Sequence, residues 1–420
     1  MIAAGSPEAF LSPLEVDAVV DAALTAWRLD GARVLVLVPD ATRTAPLAAM
    51  FRRLHTRLKD HVQALDFLVA LGTHPPLDEP GLLRLFGINA AERADPFHQT
   101  GLFNHHWDQP EALVELGCIP AAEVRVLSGG LLDLDIPVRV NRRVLDYDVL
   151  LVCGPVFPHE VAGFSGGSKY FFPGISGPEV IHTTHWLGAL CTSYATIGVK
   201  ETPVRAVIER AAGLIPRRRL ALNMVVQPEG MRGLFAGDVQ ASWSAAADLS
   251  AQVHVRYVEQ PFHQVLSLIP PIYDDLWTGA KGMYKLEPVV ADGGEIILYA
   301  PHIHEISYTH GRLLDEVGYH VRDYFTAQWE RFRGYPWGVL AHSTHLRGMG
   351  SYRDGIETAR IRVTLASQVS EERCRRLNLG YRDPAEIRPQ DWAGREREGL
   401  LLVPRAGEVL YRLRAAKART

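Results

Sequence analysis

Apolar and polar residues follow two periods along the chain, and together these periods predict an α/β fold. Short β-branched or aliphatic runs, typical of buried strands, are separated by longer segments whose apolar residues recur every three or four positions. Strands that alternate with helices in this way favour a largely parallel sheet with helices packed against it. The predicted strands are residues 33–38, 64–71, 124–127, 147–153, 294–300, 338–341, 361–366 and 400–403, and the predicted helices are residues 14–27, 47–58, 203–212 and 311–317.

The length of 420 residues exceeds what one hydrophobic core usually fills, so we expect two α/β domains. Residues 1–255 are predicted to form the larger, N-terminal domain. Residues 256–420 are predicted to form the smaller, C-terminal one, whose last segment can pack back on the first domain. We expect the active site in the cleft between the domains, which is the usual place for a small-molecule site. The basic segment 411–420 indicates a solvated helix end.

Composition and charge exclude several classes of protein. The chain has 47% hydrophobic and 22% charged residues, which is ordinary globular usage, and 44 basic against 48 acidic residues leave a net charge of -4. This balance gives no reason to expect nucleic acid or a membrane surface as a partner. The N-terminal segment lacks the basic start of a secretory signal, no apolar run approaches the roughly 18 to 20 residues that span a bilayer, and the four cysteines show no CxxC spacing. We therefore expect a cytoplasmic protein.

Candidate chemistry concentrates in residues 154–185, where His159, Lys169 and His185 surround a glycine-rich turn directly after a predicted strand. Ligands of open α/β sheets bind at the carboxyl ends of strands. The turn Phe164-Ser165-Gly166-Gly167-Ser168-Lys169 lacks the Gly-Lys-Ser/Thr order of a Walker A motif, but its backbone can cradle a phosphate or admit a planar cofactor. A desolvated lysine there can bond covalently to such a cofactor, and an ordinary surface lysine is the alternative.

Two other predicted strands also end in residues that can carry chemistry. Arg43 follows strand 33–38 in a short polar turn, where its planar fork can hold a carboxylate or a phosphate. His74 follows strand 64–71 and can act as a general acid or base. The alternatives are a surface arginine after a turn capped by Asp40 or Thr42, and a structural histidine before two prolines.

Histidine spacing gives weak support to a conventional metal site. His182 and His185 are three apart and can share a helical face, but neither they nor His159 match the spacing of known zinc motifs. Two further pairs, His302 with His304 and His342 with His345, are interpreted as polar caps at strand ends. In the second domain, Trp277 to Gly282 indicates the start of a helix, and Lys281 there is either a second cation for an anionic ligand or a solvated side chain.

With these residues in order, the chain resembles the lactate racemase family, whose members use a nickel-pincer nucleotide. The resemblance covers most of the length and is specific because five elements occur in joint order and spacing. These elements are Asp40-x-Thr42-Arg43, Gly72-Thr73-His74, Pro158-His159-x9-Lys169 with its Ser-Gly-Gly turn, His185, and Gly279-Ala280-Lys281-Gly282.

The resemblance implies how the cofactor is held. Lys169 would be its covalent anchor through a thioamide on the pyridinium ring, and His185 would be a protein ligand to nickel, while the ring and its two sulfurs fill the other positions. The remaining cofactor-binding residues would be Asp40, Thr42, Ser165, Gly166 and Gly167.

The resemblance also implies a reaction. His74 and His159 would be paired acid/base residues on opposite faces of the substrate, and Arg43 and Lys281 would hold its carboxylate or the developing charge. One base takes the hydroxyl proton while the cofactor takes a hydride from C2, and return of both to the other face of the transient 2-keto acid inverts the stereocentre. The implied enzyme is an isomerase, a 2-hydroxy acid racemase or epimerase, that depends on cofactor maturation enzymes as partners.

Two departures from the family pattern bear on the substrate. Trp277 and Thr278 stand where lactate-active members have Tyr-Gln, and Pro75 rather than a basic residue follows His74. These positions are expected to face the substrate's side chain, so lactate is the leading member of a group of 2-hydroxy acids. Two alternatives remain. One is a zinc-dependent hydrolase that uses His182 and His185 with a carboxylate, and the other is a non-catalytic protein that binds the cofactor or an anion.

Overall fold

The computed structural model describes residues 1–414 and divides into two compact units. The first unit consists of Met1–Phe157, Phe164–Thr184 and Pro203–Val253. The second consists of Pro158–Gly163, His185–Thr202 and the residues from His254 onward. The second unit thus includes two short segments that precede residue 255, and the division into domains 1–255 and 256–420 stays a prediction.

Short strands and helices alternate through the described part of the chain. The strands are β1 (Ile2–Gly5), β2 (Arg33–Val38), β3 (Ala64–Val69), β4 (Leu102–Asn104), β5 (Leu113–Ile119), β6 (Ile136–Asn141), β7 (Val149–Pro155), β8 (Pro158–His159), β9 (Gly163–Phe164), β10 (Arg218–Gln227), β11 (Gly230–Asp238), β12 (Val255–Val258), β13 (Phe262–Leu268), β14 (Val290–Ala300), β15 (Gly350–Arg353), β16 (Ile356–Ala359), β17 (Arg362–Ser367), β18 (Gly380–Tyr381), β19 (Leu400–Val403) and β20 (Leu410–Leu413).

The α-helices are α1 (Pro13–Trp27), α2 (Leu47–Leu58), α3 (Glu79–Phe86), α4 (Ala90–Ala94), α5 (Ala121–Leu127), α6 (Pro178–Cys191), α7 (Ser193–Thr196), α8 (Pro203–Ala212), α9 (Val239–His254), α10 (Leu276–Gly279), α11 (Lys281–Tyr284), α12 (Gly311–Val317), α13 (Arg322–Ala327), α14 (Trp329–Phe332), α15 (Trp337–Arg347) and α16 (Glu371–Arg376). Short 3₁₀ turns connect several of them. No helix within residues 1–414 is long and apolar enough to cross a bilayer.

The first unit is built on a seven-stranded sheet in the order β1-β11-β10-β7-β2-β3-β4. The strands from β10 to β4 are parallel, and β11 and β1 add an antiparallel edge. Strands β2 and β7 are buried on both faces, which explains their unbroken aliphatic sequences. Residues of α1 and α2 pack with one face of the sheet, and Trp243 on α9 packs with the other.

The second unit is built on a five-stranded parallel sheet in the order β18-β17-β14-β13-β19. Two parallel sheets with helices confirm the α/β class, with a largely parallel sheet in the first unit. The predicted bounds of β2, α2, α8, α12 and β19 are confirmed, and the other predicted elements overlap observed ones, with two exceptions.

The first exception is residues 124–127, predicted as a strand, which lie in α5. The prediction is wrong because Val124 is fully buried while Val126 is 80% exposed, whereas in a strand both would face the same side. The second is residues 338–341, which lie in α15, a helix buried from Gly338 to Leu346. A helix buried all round has no polar face, so periodicity cannot distinguish its apolar run from a strand.

The C-terminal tail differs from its predicted helix end. Residues Leu410–Leu413 form β20, which pairs in parallel with β12. The remainder of the predicted tail, residues 415–420, lies outside the described residues.

Candidate functional site

In the first unit, the loops after two neighbouring parallel strands bring Asp40 and His74 into contact. Strands β2 and β3 pair in register from Arg33 with Ala64 to Val38 with Val69, so their following loops leave the same edge of the sheet. The Nδ1 atom of His74 is hydrogen-bonded to Oδ2 of Asp40. The other carboxylate oxygen accepts from the backbone amide and the hydroxyl of Thr42, at 3.0 and 2.7 Å. Both oxygens of Asp40 are therefore engaged by the protein.

The charge of Asp40 determines which nitrogen of His74 is available. Burial alone would raise the pKa of the Asp40 carboxyl, but the charge and hydrogen bond of His74, together with Arg43 and Thr42, hold this pKa well below its usual range. An ionised carboxylate can only accept, so Nδ1 of His74 carries its hydrogen. The Nε2 atom then has a lone pair and can take a proton from a ligand.

The glycine-rich turn before Lys169 is held by contacts of its backbone. Gly166 and Gly167 have φ angles of +80° and +59°, and a Cβ on Gly167 would lie 2.7 Å from Cγ of Trp243. The Trp243 indole donates to the carbonyl of Ser165 at 2.8 Å, and the amide of Gly167 donates to the Asn223 side chain at 3.2 Å. The left-handed backbone and this close approach both require glycine.

A buried arginine that the sequence analysis did not identify also holds this turn. Arg205 on α8 donates to the carbonyls of Phe164 and Gly166, and its guanidinium lies 4.0 Å from the centre of the Trp243 ring. It also pairs with Glu209 at 3.6 Å, and Glu209 accepts from the Ser168 hydroxyl at 2.7 Å. Backbone and side-chain groups on the N-terminal side of Lys169 are therefore tied to one helix.

The Lys169 segment lies at the same edge of the sheet as Asp40 and Arg43. Tyr170 is buried, and a Cβ on Gly154 at the end of β7 would lie 1.7 Å from its hydroxyl oxygen. Burial raises the pKa of Tyr170 well above its usual value, and the nearby positive charge of Arg43 opposes this rise. In addition, the amide of Gly72 donates to the carbonyl of Gly174 at 2.9 Å. The first unit thus brings together Asp40, Arg43, His74 and the Lys169 segment.

In the second unit, the backbone fixes the protonation pattern of His159. The amide of Val161 donates to Nδ1 of His159 at 3.1 Å, so this nitrogen accepts and the neutral ring carries its hydrogen on Nε2. The side chain of Glu160 lies 3.5 Å from the same nitrogen. His159 is therefore arranged to offer a proton from Nε2, whereas His74 is arranged to take one there.

Helix α15 lies close to most of the other candidate residues of the second unit. The ring of His342 stacks on Trp277, with centroids 4.0 Å apart and planes at 23°. Burial lowers the pKa of His342 well below its usual value, and His345, His310, His185 and Lys281 lower it further. Burial also lowers the pKa of His345 to about 4, against the opposing charge of Glu160. The second unit thus brings His185, Trp277 and Lys281 near His342.

The side chains on α10 and α11 differ in how fully they are engaged. Thr278 donates through both its amide and its hydroxyl to Asp275, at 2.9 and 2.8 Å, and so completes the N-cap of α10. Lys281 is buried, with its Nζ 4.4 Å from the centre of the Tyr273 ring. Trp277 is partly exposed and is the residue of this segment best placed to meet a ligand.

The remaining histidines separate into structural and unexpected cases. His182 packs edge-on against Trp107 with ring centroids 6.4 Å apart, and His302 contacts the carbonyl of Tyr273 at 2.9 Å. The interpretation of His342 and His345 as strand-end caps is wrong, because both lie within α15. Among residues 1–414, no three His, Cys, Asp or Glu side chains are grouped closely enough to hold a metal, so the predicted pair His182 and His185 lacks its carboxylate.

Comparisons with known proteins agree on one family. Residues 15–198 match the family model described as the lactate racemase N-terminal domain. The chain is 25% identical over 275 residues to the lactate racemase of Thermoanaerobacterium thermosaccharolyticum and 24% identical over 274 residues to that of Lactiplantibacillus plantarum. Each match covers 64% of this chain and 59% of the relative, so the chain matches less than two thirds of their length.

Solved structures extend the likeness to nearly the whole chain. A crystal structure of a protein from Thermotoga maritima has a TM-score of 0.89 and 31% identity, and the match covers 98% of this chain and 100% of that one. The lactate racemase apoprotein from Thermoanaerobacterium thermosaccharolyticum has a TM-score of 0.71 and 18% identity, with 94% and 92% covered, which shows a shared fold. On the family model, the relatives and the fold together, the chain belongs to the lactate racemase family.

Proposed function

We propose that the chain is a racemase or epimerase that inverts the C2 stereocentre of a 2-hydroxy acid, lactate or a related compound. The observation that carries the proposal is the opposite arrangement of two histidines. Asp40 leaves Nε2 of His74 ready to accept a proton, and the Val161 amide leaves Nε2 of His159 ready to donate one. Inversion requires one such group for each face of the substrate.

The residues of the chain fit the nickel-pincer nucleotide that its family uses. Lys169 is the partly exposed residue of a turn whose neighbours Ser168 and Tyr170 are buried, which suits a covalent anchor. His185 offers one imidazole, and no group of three protein ligands exists within residues 1–414, so a metal here would take most of its ligands from a cofactor. We assign Lys169 as the anchor and His185 as the nickel ligand, with Thr42, Ser165, Gly166 and Gly167 shaping the cofactor site.

When bound, this cofactor accepts a hydride from C2 and returns it. In the proposed reaction, Nε2 of His74 takes the hydroxyl proton as the keto acid forms, and Asp40 stabilises the resulting imidazolium. His159 gives its Nε2 proton to the oxygen on the opposite face. With the other stereoisomer, the two histidines exchange these roles. Arg43 and Lys281 hold the carboxylate, since both are cations placed beside the acid/base residues of their own units.

The test uses protein matured with nickel and the cofactor maturation enzymes, which remain proposed partners in the cytoplasm. We expect a single stereoisomer of a 2-hydroxy acid to become a mixture, measured by chiral chromatography, and intact-protein mass spectrometry to show a covalent adduct. The adduct and the activity should both disappear in Lys169→Ala and persist in Lys59→Ala, a change at an exposed lysine. A Lys169→Ala variant that still racemises would overturn the proposal. A protein that carries the adduct and turns over no 2-hydroxy acid would support the non-catalytic alternative.

A further inference from the structure

Three aromatic rings of the second unit lie together beside Lys281. The Trp277 indole stacks on His342 at 4.0 Å and contacts the ring of His310 at 4.6 Å. Trp277 and His310 are partly exposed, while His342 retains 8% of its surface. His342 is also within electrostatic range of Lys281 and His185. A small ligand whose carboxylate meets Lys281 would therefore extend along these rings.

The hydrogen bonds of His342 leave one ring nitrogen available. Its Nε2 meets the hydroxyl of Tyr319 at 3.5 Å, and this is the hydrogen bond that Tyr319 makes through its buried side chain. Within residues 1–414, no protein group hydrogen-bonds Nδ1 of His342. Burial and the surrounding cations favour the neutral ring, which donates from one nitrogen and accepts at the other. Nδ1 is thus a single polar atom within an otherwise aromatic surface.

We propose that Nδ1 of His342 hydrogen-bonds a hydroxyl group on C3 of the substrate, so that the enzyme prefers 2,3-dihydroxy acids to lactate. A hydroxyl suits this position because it can donate or accept, and so it serves either tautomer of the ring. The methyl group of lactate would cover Nδ1 without pairing it, which costs the desolvation of a polar group. The flat indole of Trp277 would contact the carbon chain. The inference rests on the proposed function and names its substrate class.

The test compares the matured enzyme acting on glycerate, a 2,3-dihydroxy acid, and on lactate. We expect kcat/KM for glycerate to exceed that for lactate by about tenfold or more, the size of one hydrogen bond together with the cost of an unpaired group. In His342→Phe, which keeps a ring against Trp277, kcat/KM for glycerate should fall about tenfold while the value for lactate holds or rises. His342→Gln, which keeps a polar group, should lie between the two.

Two further variants separate recognition from structure. His342→Phe leaves the Tyr319 hydroxyl unpaired, so the pair Tyr319→Phe with His342→Phe removes that buried donor and should show the same change of preference. His98→Phe, at an exposed histidine, should change neither substrate. Equal losses for both substrates in the His342 variants, or a wild-type enzyme that prefers lactate, would overturn the inference.

Binding distinguishes failure of the inference from failure of the proposed function. If the matured enzyme turns over neither acid, the proposed function fails. Ligand-observed NMR with the cofactor-free protein then still tests His342. Tighter binding of glycerate than lactate, with the difference abolished in His342→Phe, supports the recognition role. Equal binding of the two acids to the wild-type protein refutes it.

Discussion

Asp40 and His74 follow adjacent parallel strands and are joined by a hydrogen bond between a buried carboxylate and an imidazole Nδ1. The carboxylate is fixed by Thr42, so the orientation of the ring is inherited from a turn at the end of β2. A pair of this kind sets the tautomer of a histidine and stabilises its protonated form. Asp40 therefore acts through His74, as a positioning residue.

Replacing Asp40 with asparagine should lower kcat by about 10²-fold with little change in KM, because an amide neither fixes the tautomer nor stabilises the imidazolium. Steady-state kinetics of the matured enzyme measures both constants. Asp60→Asn, at an exposed carboxylate, is the matched control. A rise in KM with unchanged kcat would instead show that Asp40 serves only in binding.

The same substitution should alter acid stability. Because the folded state depresses the pKa of Asp40, its charge stabilises the fold above the unfolded value of about 4, and this contribution is lost as the pH falls below that value. Asp40→Asn should therefore be less stable than the wild type in urea at pH 7, and the difference should shrink toward pH 3. A difference that is constant with pH would contradict this assignment.

Each acid/base histidine should be needed in both directions of the reaction. His74→Asn and His159→Asn are each expected to lower kcat/KM by about 10²- to 10⁴-fold, the range for a general acid/base group. Rates measured from each pure stereoisomer test this directly. His61→Asn, at an exposed ring, should behave as wild type. Full activity in one variant would show that a single group serves both faces.

Arg205 should be worth far more than an exposed arginine in an identical helical pair. Arg205→Ala leaves Glu209 and two carbonyls buried without their partner, and we expect a loss of about 3 kcal/mol in the free energy of unfolding. Arg312→Ala breaks an i,i+4 pair with Glu316 at the surface and should cost less than about 0.5 kcal/mol. Urea denaturation measures both losses. Mass spectrometry should also show less cofactor on Lys169 in Arg205→Lys, which keeps the charge and loses the planar fork.

The sequence predicted the parts of the site that depend on strand ends and failed where packing decides. Asp40 and His74 could be placed together because residues after neighbouring parallel strands share one edge of a sheet. Arg205 carried no signal, because one arginine on an amphipathic helix resembles any other. His342 was assigned to a strand end, since a helix buried on all sides shows no polar period. The protonation pattern of His159 depends on one backbone amide, which no spacing reveals.

Two glycines with the same backbone conformation should respond differently to alanine. Gly167 and Gly129 have φ angles of +59° and +64°, but a Cβ on Gly167 would meet Trp243 whereas a Cβ on Gly129 meets nothing within 4 Å. Gly129→Ala should cost about 1–2 kcal/mol for the left-handed backbone alone. Gly167→Ala should cost a further 1–3 kcal/mol or so for crowding. Equal losses in urea denaturation would show that Trp243 moves aside freely.

The buried His345 should make the fold sensitive to mild acid. Burial lowers its folded pKa to about 4, below the usual value near 6.5, so the unfolded chain binds a proton there that the folded chain does not. Stability is therefore present above about pH 6.5 and is lost as the pH falls toward 4, by up to about 1.4 kcal/mol per pH unit for this one group. His345→Gln should flatten the pH dependence of the free energy of unfolding in that window, while His61→Gln should leave it unchanged. If His345→Gln kept the wild-type slope, the loss of stability in acid would belong to other groups, of which the buried His105 is the first to test.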